Sequence, residues 1–140
     1  MIITETETET MTTAADFADA EFQDLCEQLV RTATSPLDRA AVQALVEERT
    51  ILEVTAVRYA LIVDTDHGPT ARFEALSGCQ YTLGLDEGQR SFLGLVLSMV
   101  GIGLTTIAAV QDLDERRLPI ILRAFLRLAG NDTIAVGTRM

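Results

Sequence analysis

SFLGLVLSMVGIGLTTIAAVQ, Ser91–Gln111, runs for twenty-one positions without a charged residue, and its reading decides the fold. A membrane-crossing helix needs about 20 mostly apolar residues, so the stretch is long enough for a single span over residues 92 to 110. Gly94 and Ser98 also supply one small-xxx-small step. A buried central helix of a water-soluble bundle would carry the same signal. Three features favour the buried helix. Gly94, Gly101 and Gly103 each weaken a helix by roughly 1 kcal/mol relative to Ala, and Gly-Ile-Gly reads as a kink near Gly101. Arg116, Arg117, Arg123 and Arg127 follow the run while Arg90 precedes it. A positive-inside orientation would then send a long acidic N-terminal part across the bilayer. Finally, neighbouring segments carry apolar faces that need a partner. The reading is therefore a buried helix over 91–111, with the single-span membrane protein as the alternative.

Charge narrows the partners. The 140 residues hold 11 basic side chains, all arginine, against 21 acids, a net charge of −10. Without lysine there is no Schiff-base lysine, P-loop lysine or lysine general base. Residues 1 to 30 hold eight of the acids and no base, whereas the remainder is nearly balanced. A broad phosphate footprint for nucleic acid is thus excluded, and a basic protein partner fits the acidic end better. Cys26 and Cys79 are the two cysteines, a number that suits structural thiols in a reducing cytoplasm.

Outward from the central stretch, the pattern is helical. Residues 1–12, with their Thr-Glu alternation, read as a disordered acidic tail. Thr13 to Asp16 resembles a capping box, and Phe17, Phe22, Leu25, Cys26, Leu29 and Ala33 follow at helical spacing. Ser35-Pro36 starts a second helix, with Ser35 as its cap and Pro36 at the first turn. No Gly or Pro interrupts the chain from there to Ile62, which predicts one long helix. The β-branched run TILEVTAVRYALIVD offers the alternative of a strand within 50–63 and an α+β fold. Residues 64–69 are a turn cluster, a short helix is expected over 69–77, and Asp86 can cap the central helix. A last helix spans 114–129, before a loose tail over 131–140. The fold class is mainly α: a single-domain bundle of four to five helices over 13–130.

One string looks like chemistry. ALIVDTDHGPT, residues 60–70, is an apolar run ending in Asp-x-Asp. It resembles the nucleophile loop of haloacid-dehalogenase-type phosphotransferases, and Asp-Thr-Asp-x-Gly resembles the metal loop of nucleoside hydrolases. Both resemblances span about ten residues, and neither downstream pattern follows: lysine is absent and no Asp-Asp pair appears. Asp64, Asp66 and His67 are the candidate metal ligands, since carboxylates suit hard cations and imidazole softer ones. The same residue types are what a turn requires. His67 is the sole histidine, so a nucleophilic triad has no footing. Gly101-Ile-Gly103 lacks the third glycine of a dinucleotide loop, and no cofactor is expected.

Arg116, Arg123 and Arg127 fall within about 20° of one line on a helix. Such a line either faces solvent or meets acids: those of the N-terminal helix, of a second subunit, or of a ligand. The chain is accordingly read as a non-catalytic interaction or regulatory protein, cytoplasmic and homodimeric. Asp16, Asp19, Asp24 and Glu27 form its docking segment for a basic partner, and the arginine line is a second contact element. A metal-dependent hydrolase or phosphotransfer enzyme at Asp64, Asp66 and His67 is the other alternative.

Overall fold

The computed structural model describes residues 19–131 and 133–137. The expected tail over 1–12, the Thr13–Asp16 cap and Asp16 itself lie outside the described residues. The protein is mainly α. Residues 19–32 are helical (α1), followed by α2, Pro36–Glu48. Ser35 is extended and its hydroxyl accepts the Asp38 amide at 3.1 Å, while Pro36 opens the first turn. Ala40, Ala41, Val42, Ala44 and Leu45 form the buried face of α2.

The long helix expected to reach Ile62 is broken twice. α2 stops at Glu48, a short α3 occupies Thr50–Glu53, and α4 runs from Thr55 to Leu61. Arg49, at the first break, has φ 71° and ψ −50°, a conformation that costs a side-chain-bearing residue about 1–3 kcal/mol. The cause is Glu48. Its carboxylate accepts the Thr50 hydroxyl at 2.6 Å and the Ile51 amide at 2.9 Å, so it caps α3 instead of lying along a continuous helix. Val54 is extended and makes the second break.

A strand does follow, as the α+β alternative anticipated, though it begins only at Ile62. β1, Ile62–Thr65, pairs antiparallel with β2, Gly68–Ala71. This replaces the start of the helix expected over 69–77; the remainder is a single 3-10 turn, Phe73–Leu76. The hairpin wins because Thr65 Oγ1 accepts the His67 amide and donates to the Gly68 carbonyl, closing the tip. Gly68 supplies the positive φ of 111°. α1 lies against this hairpin, the Thr32 hydroxyl donating to the Pro69 carbonyl at 2.8 Å.

The central stretch is half helix and half return leg. α5, Glu87–Met99, begins with a reciprocal cap: Asp86 accepts the Gln89 amide while the Gln89 side chain accepts the Asp86 amide. From Phe92 to Leu97 every residue is buried, which identifies α5 as the core helix. The helix expected over 91–111 ends twelve residues early. Gly101, at φ 79°, turns the backbone left-handed; its amide bonds the Ser98 carbonyl and the Ile102 amide bonds the Leu97 carbonyl at 2.9 Å. This is the two-bond C-terminal cap that glycine favours. The chain then folds back along α5, passing through a 3-10 helix, Ile107–Asp112. The span considered over 92–110 is therefore not a continuous helix, and among the described residues no helix is long and apolar enough to cross a membrane.

α6, Arg117–Leu128, starts where Asp114 accepts the Arg117 amide at 2.7 Å and stops before Gly130, at φ 73°. α2, α5 and α6 pack on one another, and one hydrophobic cluster joins Leu45, Phe92, Val96 and Ile121 with Leu29 of α1 and Leu61 of α4.

Candidate functional site

Glu48 sits where four elements meet. Its side chain has 0 % exposure, and both oxygens are engaged. Besides the Thr50 and Ile51 donors, it accepts Arg116 at 2.8 Å and Arg117 Nε at 2.7 Å, while Arg116 also donates to the Glu48 carbonyl. Gln89 of α5 donates to the Thr50 hydroxyl at 3.1 Å, so α5 joins the same network. Burial pushes the Glu48 carboxyl up, but the bonds from Thr50, Ile51, Arg117 and Arg116 together hold it below the usual glutamate range. The carboxylate is charged and shut off from solvent, with three donors on Oε2 and the Ile51 amide on Oε1. Such a group holds helices in register.

The arginine line meets acids, but those of α2. Glu47 accepts Arg127 at 2.6 Å and Arg123 at 3.3 Å, about two turns and more along the arginine line from Arg116. Arg116, Arg123 and Arg127 thus clamp α6 along the end of α2. Their acidic partners Glu47 and Glu48 escaped the sequence reading, although a signal was present. Two acids at a helix C-terminus oppose the helix dipole and call for cations; the expectation of an unbroken helix to Ile62 concealed that terminus.

On α1, Asp19, Asp24 and Glu27 are all exposed. Asp19 pairs with Arg49 at 3.2 Å, and Asp24 accepts the Gln28 side chain; Arg49 also stacks over Phe22, 4.8 Å from the ring centre. Asp64, Asp66 and His67 occupy the hairpin and its tip, exposed to solvent. They are not gathered: among the described residues no three His, Cys, Asp or Glu side chains are placed to hold a metal ion. The Asp-Thr-Asp-His string thus serves as the turn that its residue types favour.

What the structure adds is a surface. Residues 101–108 belong to the uncharged stretch, yet only Ile102 and Thr105 among them are even partly covered. Leu104 is fully exposed and Ile107 is 68 % exposed. Gly94 explains how the leg can lie so close to α5: a Cβ there would fall 2.7 Å from Thr105 Oγ1. Beside the leg, a cavity of about 310 Å³ opens between the end of α5 and the end of α6. Its walls are Leu95, Met99, Ile107, Phe125 and Leu128 with the hydroxyl-bearing Ser98 and Thr105, and it faces solvent. No family model matches the chain, and neither a curated protein nor a solved structure shows significant similarity to it.

Proposed function

We propose that this chain is a non-catalytic interaction protein of regulatory kind that works as a homodimer and offers the acidic face of α1 to a basic partner. The observation that carries the reading is the return leg. The most apolar stretch of the sequence places its second half on the surface, next to a cavity lined by five apolar side chains with Ser98 and Thr105. Contiguous exposed apolar surface of this sort marks contact sites between proteins. The net charge of −10 makes most of the surface repel a second copy, whereas the leg carries no charge and lets one approach. On the opposite account the exposed leucine and isoleucine would remain in water, unfavourable by roughly 1.5–3 kcal/mol for each such side chain.

Asp19, Asp24 and Glu27 support the docking part of the reading, because they project from α1 into solvent. The two thiols fit a reducing compartment: Cys26 is buried, and burial pushes its thiol up, away from reactivity. The test is molar mass by light scattering over protein concentrations of about 1 to 100 μM. The reading expects the mass of two chains at the upper end, falling toward one on dilution. A single-chain mass throughout would end it.

A further inference from the structure

α1 is bound to the rest of the chain unevenly. Its second half is anchored: Leu29 is buried in the core, and the Thr32 hydroxyl donates to the Pro69 carbonyl at 2.8 Å. Over residues 19–26 the attachment is thin. Cys26 is buried there, Phe22 and Leu25 are half-buried, and the other residues are exposed. Two open hollows, of about 390 Å³ and 300 Å³, lie against this part of the helix, and Phe22 and Arg49 border both. A helix segment with little buried apolar surface and solvent on both flanks belongs to the low-stability end of a fold.

Arg49 is what holds the segment down. Its guanidinium pairs with Asp19 at 3.2 Å, lies over the Phe22 ring and reaches Glu53 of α3 at 3.6 Å. Among the described residues, no other ion pair or side-chain hydrogen bond ties residues 19–26 to a different element. Arg49 is also the non-glycine residue at positive φ, placed there by the break that Glu48 makes between α2 and α3. The break that the α6 arginines stabilise through Glu48 therefore sets the side chain that meets α1. We propose that residues 19–28 of α1 form a strap latched by Arg49, which opens as a unit while the α2–α5–α6 core stays folded. Opening bares Phe22, Leu25 and Cys26 on α1 and Val46 on α2, the apolar walls of the two hollows. The strap requires neither self-association nor a basic partner.

Amide hydrogen exchange of the full-length chain, at one low concentration, tests the latch. Amides 23–28 should share one opening constant, at least about tenfold larger than that of amides 92–97 in α5. Arg49→Gly removes the ion pairs and the stacking, but glycine accepts a φ of 71° without a side-chain penalty. The variant should therefore raise the opening of 23–28 about fivefold, as loss of an exposed cation–π contact and ion pair implies, while 92–97 exchange no faster. Asp19→Asn keeps the stacking and should give a smaller rise, about twofold. Three results would overturn the strap. One is exchange graded smoothly toward the start of α1 and unchanged in Arg49→Gly, which is simple fraying. Another is an opening constant for 23–28 equal to that of 92–97. The third is a rise in Arg49→Gly shared equally by α5, which means that the whole fold loosens and no latch exists.

Discussion

At Glu48 the chain places a carboxylate with no exposed atom against two arginines, and the consequence is a steep asymmetry between neighbours. Removing one member of a buried, hydrogen-bonded ion pair strands the other and costs about 3–5 kcal/mol. Exposed or half-exposed pairs are worth about 0–1 kcal/mol. Glu48→Ala should therefore lower unfolding stability by about 3–5 kcal/mol in urea titration, and Glu47→Ala by no more than about 1 kcal/mol. Equal losses would mean that the node is no tighter than the part-buried Glu47 pairs beside it. The sign of the pH response follows from the same bonds. Because the folded Glu48 carboxyl is held below its ordinary value, its contribution is complete above the unfolded glutamate value of about 4.3. It is lost as the pH falls through the lower folded value. Thermal unfolding followed from pH 7 to 3 should show this acid loss in the wild-type chain, and a smaller one in Glu48→Ala. Of the arginines, Arg116, Arg123 and Arg127 were legible from their spacing, whereas Arg117, the more buried partner of Glu48, falls off that line and was not. The acidic half was not, because nothing local in Glu47-Glu48 says which helix terminus they occupy until the break at Arg49 is known.

Among the elements, those ended by local chemistry were readable and those ended by a competing side chain were not. Ser35-Pro36 and Asp86-Gln89 start α2 and α5 as their residue types require. The break at Arg49 depends instead on Glu48 turning back to the Thr50 and Ile51 donors, a choice made by the distant arginines that hold it there. The β-branched run likewise became helix in α4 and strand in β1, since only the Thr65–Gly68 tip and the cover from α1 favour pairing. The apolar stretch shows a third case. Twenty-one uncharged residues look like one helix, but Gly101 and Gly103 turn the second half back over the first. Gly94 is the position that tests this arrangement. Alanine there would favour the helix by about 1 kcal/mol if α5 were free. With the leg in place, the added methyl meets Thr105 and overpacking costs about 1–3 kcal/mol. Gly94→Ala should thus fail to stabilise the fold, and pairing it with Thr105→Gly should recover most of any loss. A clear rise in melting temperature from Gly94→Ala alone would show that the leg does not pack there.

In the whole molecule, α2, α5 and α6 form a core tied at one end by the Glu48 node, and α1 with the β-hairpin covers its flank. Among the described residues this core covers Ile102, Ala109 and Val110 of the leg in part and leaves Leu104 and Ile107 exposed. The bundle class was visible in the sequence because helical periodicity is local; the exposed ridge was not, because exposure is a property of the assembled chain. In the proposed dimer a second copy covers this ridge. Amide hydrogen exchange of the full-length chain, compared at low and high protein concentration, reads that cover residue by residue. Slower exchange at high concentration over residues 102–110 and the C-terminal turn of α6, with α2 unchanged, is the predicted result. Exchange that is fast across the leg at every concentration would contradict it.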